Sequence, residues 1–418
     1  FQTGLRVENT CQNCAFPQLR INGLEGQYTQ ILLDSRPVLS SLASVYGLEQ
    51  LPIEMIERIE VIRGGGSALF GSTAIAGVVN IITKEPTRNT FSLTHNMGIY
   101  DNKKMYTSSL FNSSLVNEEG IMGVYLYGTI QNKDEYDRDN DGYSEIPKVD
   151  NKTIGFRSYY KFSNYAKLIA EYHHINEFRR GGNKLHRLPH EADICEQLEH
   201  KINGGGINFD LYSTDYSHHL NIYTSLQNIN RDSYFGTHQN LNSYGQTQDF
   251  ALVTGSSYNY IFEKCLFMPA EFILGFEYDN NKLNDTILGY NKIIEQETNS
   301  YGLYFQNKWE NENLTFLIGG RLDKHSKIDK MIFMPRVNVR YSPIKSLGLR
   351  FTYSSGYRAP QCYSEDLHVA AVGGDVALIV LSPNLKPEYS NSFSASINYM
   401  QTFDKHQLNL ISDFFYTV

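Results

Sequence analysis

The chain has 418 residues and a formal net charge of −8, so it lacks the basic footprint that is typical of nucleic-acid-binding proteins. Its mean hydropathy is −0.39 and it contains no run of about 18 apolar residues, which argues against a transmembrane helix but not against a membrane β-barrel. In such a barrel lipid-facing and lumen-facing side chains alternate, so the average hydropathy resembles that of a soluble protein.

Cys11 and Cys14 form a CxxC motif near the start of a chain that contains five cysteines. A zinc site needs a second ligand pair at suitable spacing, and none follows, so we expect a local disulfide or two ordinary thiols. The sequence begins without Met and without a signal peptide. We therefore expect the N-terminus to be incomplete.

Residues 1–88 predict a compact α+β domain. Strands are indicated on both sides of the Gly23–Gly26 turn, in RIEVIRG (58–64) and in AGVVNIITK (76–84). Between them, GLEQLPIEMIERI (47–59) has apolar residues at helical spacing and Pro52 in what would be the first turn, which predicts a short helix.

The stretch RGGGSALFGSTAIAGVVNIITK (63–84) approaches the phosphate-binding pattern GxxxxGK[ST]. A phosphate loop uses the Lys before its Ser or Thr to reach the phosphates, but position 72, before Thr73, is Ser. Nucleotide binding is therefore not predicted.

From residue 89 to 418 the chain consists of alternating strands such as FSLTHNMGIY (91–100) and KTIGFRSYYKF (152–162), close to the 9–11 residues or so that cross a bilayer. The connections alternate between short turns and long segments, as in outer-membrane barrels. The long segments, which we expect to be extracellular loops, are 132–150, 176–202, 229–248, 280–299 and 358–390. The pattern predicts a transmembrane antiparallel β-barrel of about fifteen strands; because bacterial barrels have even strand numbers, we expect further strands beyond Val418.

The segment IEMIERIEVIRGGGSALFGSTAIAGVVNIITKEP (53–86) resembles the plug domain of the TonB-dependent outer-membrane receptors, and the resemblance extends over the whole chain. It implies part of a plug (1–88) inside part of a barrel (89–418), about 15 of about 22 strands, in the bacterial outer membrane. The residues that carry the plug signature are Arg63, Gly64, Gly66, Gly71, Gly77 and Asn80.

The family resemblance also implies a function. Such a receptor captures a scarce metal-containing ligand with its extracellular loops and imports it past the plug, powered by the TonB–ExbB–ExbD complex. It lies in outer-membrane lipid, and in some cases a surface lipoprotein delivers the ligand. The resemblance implies neither enzymatic activity nor a tightly bound cofactor. The competing interpretation is a soluble β-rich adhesin or enzyme, although no catalytic motif is recognisable.

Tyr357-Arg358-Ala359-Pro360 resembles the family's FRAP box, and Ser382-Pro383-Asn384-Leu385 resembles its NPNL box. Haem receptors of the family carry a ligand histidine between these boxes, where this chain has His368. The resemblance therefore implies haem as the transported ligand, with His368, Tyr357 and Arg358 in its binding site.

Ferric siderophores and corrinoids remain open as cargo, because receptors for them carry the same boxes. The plug offers no second haem ligand, since no histidine precedes His95; His186, His190, His200 and His238 are alternatives.

Asp137, Asp139, Asp141 and Glu145 place oxygen ligands at alternate positions around Gly142, a pattern that suits Ca²⁺. The twelfth position, where an EF-hand has a bidentate Glu, is Lys148. We therefore expect either a calcium loop of another kind, which would favour a corrinoid receptor, or an ordinary solvated acidic loop.

Overall fold

The computed structural model describes residues 4–9, 17–37, 42, 55–63, 71, 74–100, 104–372 and 375–418. Its N-terminal part contains a hairpin of β1 (Leu5–Asn9) and β2 (Pro17–Ile21) and a three-stranded sheet. In that sheet β5 (Gly77–Thr83) is central, with β3 (Thr29–Leu33) parallel on one side and β4 (Ile56–Arg63) antiparallel on the other.

The predicted helix at 47–59 is wrong at its end, because Ile56 belongs to β4, which also contains most of the strand predicted at 58–64. Here pairing with β5 outweighs the helical spacing of the apolar residues, since β4 gains a ladder of backbone hydrogen bonds to a buried strand. Residues 47–54 lie outside the described ranges.

Fifteen further strands form one antiparallel sheet in which every strand pairs with its neighbours in the chain, which confirms the predicted number. They are β6 (Thr90–Tyr100), β7 (Lys104–Val116), β8 (Met122–Lys133), β9 (Lys148–Ser163), β10 (Ala166–Gly182), β11 (Ile194–Tyr212), β12 (His218–Thr237), β13 (Tyr244–Cys265), β14 (Met268–Ile287), β15 (Lys292–Glu310), β16 (Leu314–His325), β17 (Ile332–Ile344), β18 (Leu347–Arg358), β21 (Glu388–Phe403) and β22 (His406–Thr417). The connection between β18 and β21 carries a small hairpin, β19 (Ala370–Val372) with β20 (Asp375–Ala377).

The sheet has a polar inner face and an apolar outer face. On β9 the side chains of Thr153 and Arg157 are buried, whereas Ile154 and Phe156 between them are 57% and 37% exposed. A soluble protein would bury the apolar set, so the inversion indicates that lipid covers the outer face. No helix in the described part of the chain is long and apolar enough to cross a membrane.

Strands β9 to β15 have 16 to 22 residues, more than the roughly 9–11 needed to cross a bilayer. The long connections predicted at 176–202, 229–248 and 280–299 are therefore wrong in extent, because only 183–193, 238–243 and 288–291 lie between strands. Ladder pairing continues above the membrane, since two strands satisfy each other's backbone groups in water as well as in lipid.

The N-terminal sheet packs against the inner face of the large one. Its Ile31, Leu33 and Val79 share a buried cluster with Tyr125 and Tyr127 of β8. The segment 84–89 links the two units, and the boundary predicted after residue 88 falls within it. The N-terminal unit thus occupies the position expected of a plug.

Candidate functional site

The connection between β18 and β21, residues 359–387, folds onto the inner face of the barrel and is called the inner loop. Its Cys362 and Leu367 are fully buried and pack with Ile202 of β11 and Ile229 of β12. The same cluster includes Leu42 of the plug, whose backbone N–H donates to Asp249 Oδ2 on β13 at 2.7 Å. The inner loop therefore contacts both the wall and the plug.

Polar side chains of the wall hold the inner loop through its backbone. Gln296 on β15 accepts from the Cys362 N–H at 2.7 Å and donates to the Cys362 carbonyl at 3.2 Å. Lys292 Nζ donates to the Asp366 carbonyl at 3.1 Å. Burial raises the pKa of the Cys362 thiol to about 12, so the thiol stays protonated at neutral pH.

A buried charge cluster lies under the loop on neighbouring strands. Asp285 of β14 is 3.1 Å from Arg231 Nη2 and 3.1 Å from Lys292 Nζ, and it accepts from Thr247 Oγ1 at 2.6 Å. Arg231 also donates to the Leu367 carbonyl at 3.4 Å. Both cations share the carboxylate of Asp285, and both also donate to carbonyls of the loop.

His368 of the inner loop faces a carboxylate of the wall. Its Nε2 lies 3.4 Å from Glu196 Oε2 on β11, and Glu196 is only 1% exposed. The ring meets Phe235 edge to face at a centroid distance of 5.8 Å. The nitrogen that would bind haem iron is thus directed at Glu196.

Tyr357 and Arg358, the other two predicted ligand-binding residues, lie in separate environments. Tyr357 is fully buried, and its hydroxyl donates to Asp323 Oδ2 at 3.3 Å. Arg358 lies over the Tyr363 ring at 3.8 Å and is 3.6 Å from Glu365, so it braces the start of the inner loop. The structure does not bring the three predicted residues together around one point.

Arg358 also belongs to a link between the inner loop, β21 and the plug, which the sequence pattern did not reveal. Its guanidinium is 5.7 Å from the ring of Tyr28 in the plug and 3.8 Å from Glu388 of β21. The Tyr28 hydroxyl donates to Glu388 Oε2 at 3.0 Å.

The plug signature residues have structural contacts. Arg63 pairs with Asp413 of β22 on the barrel wall. Asn80 Oδ1 accepts from the Ser35 N–H at 2.8 Å, and its amide nitrogen donates to Glu60 at 3.3 Å, so it joins a turn to the sheet.

Two signature glycines are explained by backbone geometry. A Cβ on Gly77 would lie 2.4 Å from the Ile62 carbonyl oxygen, so any side chain there would clash with the backbone. Gly71 has a φ of 97°, a backbone conformation that favours glycine. Gly64, Gly66, Cys11 and Cys14 lie outside the described residues.

A second plug contact escaped the sequence analysis. Arg36 of the plug is 2.8 Å from Glu171 on β10, which is 2.8 Å from Arg157 on β9; Arg157 also pairs with Asp34 of the plug. Arg157 and Glu171 are register partners, so charges at inward positions of adjacent strands were the available signal.

The acidic loop between β8 and β9 brings its four predicted ligands together. Oxygen atoms of Asp137, Asp139, Asp141 and Glu145 all lie within 4.8 Å of one another. Asp137 accepts from the backbone N–H of residues 140 and 142, at 2.7 and 2.9 Å, which closes the turn around them. Hard oxygen ligands in this arrangement suit a Ca²⁺ ion.

Comparison with known proteins gives the family. The family described as "TonB dependent receptor-like, beta-barrel" matches residues 123–418, and the family described as "TonB-dependent Receptor Plug Domain" matches residues 2–78. An iron-regulated outer membrane virulence protein of Vibrio cholerae is 27% identical over 412 residues, covering 91% of this chain and 57% of that protein. The vitamin B12 transporter BtuB of Vibrio vulnificus is 22% identical, covering 92% of this chain and 58% of that protein.

Among solved structures, a variant of the ferric enterobactin receptor PfeA from Pseudomonas aeruginosa superimposes with a TM-score of 0.79 at 18% identity, covering 99% of this chain and 67% of that one. The chain thus spans less than two thirds of the length of the curated relatives cited above. It belongs to the TonB-dependent receptor family, whose outer-membrane architecture of a β-barrel around a plug it shares.

Proposed function

We propose that this chain is part of an outer-membrane transporter that captures an anionic ferric siderophore complex and imports it with energy from TonB. The observation that carries the proposal is the position of the inner loop, whose buried residues pack on both the barrel wall and Leu42 of the plug. Cargo that displaces this loop from the outside would alter the support of the plug directly.

The choice of cargo rests on charge and on His368. Arg231 and Lys292 beneath the inner loop donate to its Leu367 and Asp366 carbonyls, so movement of the loop would free both cations to contact an anionic chelate. Haem would require His368 to leave Glu196 and Phe235, and a corrinoid has no comparable negative charge for these cations. The names of the similar iron-regulated and ferric enterobactin receptors agree with iron as the imported metal.

A binding panel on the full-length receptor in detergent tests the cargo. Ferric enterobactin, haem and cyanocobalamin are titrated while tryptophan fluorescence and the haem Soret band are followed. We expect ferric enterobactin to bind, and we expect any weak Soret change with haem to be the same in the wild type, His368→Ala and the control His190→Ala. A Soret shift that His368→Ala alone removes would establish haem as the cargo instead.

We also propose that the acidic loop binds Ca²⁺ through Asp137, Asp139, Asp141 and Glu145. Bound calcium would offset half of the negative charge of four carboxylates whose oxygens are close together and would be held by all four, so it should order the loop. We expect millimolar Ca²⁺, but not Mg²⁺, to slow proteolysis between residues 134 and 147, and Asp139→Asn to remove the effect. Equal cleavage rates in Ca²⁺ and in chelator would contradict the proposal.

A further inference from the structure

On the short-turn side of the barrel, which is periplasmic in outer-membrane proteins, the plug and the wall leave a cavity of about 640 Å³. Plug strand β4 lines it on one side, and strands β17, β18, β21 and β22 line it on the other. We call it the basic cavity, because its charged lining residues are Arg63, Arg336, Arg340, Arg350 and Asp413. Its volume falls within the range of about 300–1,000 Å³ usual for ligand sites.

We propose that the basic cavity is a binding site for a multiply charged anion, which the cargo occupies on its way past the plug. The link to cargo rests on the proposed function; the anion site itself does not. Arg63 is neutralised by Asp413, so the remaining positive charge comes from the three arginines of β17 and β18.

Arg336 supplies the first argument for a ligand. Its side chain is 9% exposed, and its Nε is buried without a hydrogen-bond partner among the described residues. No carboxylate of the described chain lies within 4 Å of this guanidinium. A buried cation without a partner is costly, and a bound oxyanion would supply both the charge and the acceptor.

Arg340 and Arg350 supply a second, independent argument. They are direct register partners on β17 and β18, and like charges directly opposite each other destabilise a sheet. Arg340 also interacts with Glu310 at the end of β15, whereas Arg350 has no ion pair in the described part of the chain. An anion between the two strands would relieve the repulsion.

The arginines of β17 are spaced along the barrel axis, which is the direction in which cargo would move. Arg340 lies four residues from the end of β17 and Arg336 lies eight, so the two are separated by about 10 Å along the barrel axis for usual strand rise and tilt. Asn338, between them, donates to Thr352 of β18 at 2.6 Å and adds polar lining. A ferric catecholate carries several negative charges, because its oxygens outweigh the charge of iron, and it would pass from one arginine to the next.

The test uses the full-length receptor in detergent with inorganic tripolyphosphate as probe, by calorimetry. We expect Arg336→Gln and Arg350→Gln to weaken binding at least about tenfold, the loss expected for one charged contact. Arg336→Lys should retain most of the affinity, and Arg58→Gln, an exposed plug residue outside the cavity, should match the wild type. Unchanged tripolyphosphate affinity in Arg350→Gln, whose exposed side chain tolerates replacement, would overturn the proposal.

The role in transport has a separate readout. We expect cells that carry Arg336→Gln or Arg350→Gln to bind ferric enterobactin at the surface normally but to import it several-fold more slowly. If no ferric siderophore binds, but tripolyphosphate binding still depends on Arg336 and Arg350, the proposed function fails while the anion site stands. If the variants import at the wild-type rate, the cavity has no part in transport and that step of the proposal is wrong.

Discussion

Polar atoms of the inner loop are engaged before any cargo arrives. His368 faces Glu196, and the backbone of Cys362 exchanges two hydrogen bonds with Gln296. Because these partners lie on strands, the loop is held in one position by a rigid wall. The residues that the sequence nominated as ligands therefore have structural contacts, and for the proposed anionic cargo we expect contact with the cations under the loop instead.

The first prediction concerns Cys362 as a reporter of loop movement. Burial raises its pKa to about 12, so between pH 7 and pH 9 its thiol remains protonated and inaccessible. In single-cysteine receptors, we expect maleimide to label Cys362 at least about tenfold more slowly than the half-buried Cys265, and bound cargo to raise the Cys362 rate. Equal labelling of the two thiols without cargo would show that the loop does not pack as described.

At the scale of elements, the plug is fixed to the wall by ion pairs as well as by apolar packing. Asp34 and Arg36 come from one tight turn of the plug, and Arg157 and Glu171 come from paired positions of β9 and β10. All four side chains are largely buried, so removing one charge leaves its partners without full compensation.

The second prediction is that Arg36→Met lowers the stability of the plug. Its side chain is 5% exposed and lies 2.8 Å from Glu171, so we expect a loss of about 3–5 kcal/mol. The measurement is the urea midpoint of plug unfolding in the full-length receptor, followed by a fluorophore on the plug. Arg58→Met, whose side chain is 59% exposed, serves as control and should change stability by less than about 1 kcal/mol. Matching midpoints for the two variants would contradict the role of the network.

At the scale of the whole molecule, the apolar belt on the outer face determines the environment. Side chains such as Leu226, Leu274 and Leu303 are 44%, 42% and 51% exposed on successive parts of the sheet. In water this surface would cause aggregation. In a bilayer the same side chains contact the apolar lipid tails.

The third prediction follows from that belt and from the paired strands. We expect the full-length protein to be extracted only by detergent and to migrate faster on a denaturing gel before boiling than after it, because the hydrogen-bonded sheet resists detergent at room temperature. Recovery of folded protein in aqueous buffer would refute the membrane assignment.

The sequence by itself determined the sheet and its fifteen strands, because side-chain alternation has a period of two and needs no knowledge of partners. It also determined the family, since a segment such as ERIEVIRGGGSALFG is specific. The sequence overestimated the length of the loops and placed Ile56 in a helix, because strand length and the start of β4 depend on pairing with distant residues.

Only the tertiary structure decided where charges meet. Arg63 pairs with Asp413, which lies 350 positions further along the chain. His368 faces Glu196, and Arg340 lies opposite Arg350. These meetings depend on barrel register and on the path of the inner loop across the lumen. Electrostatic energy depends on distance in space, and distance along the chain says little about it.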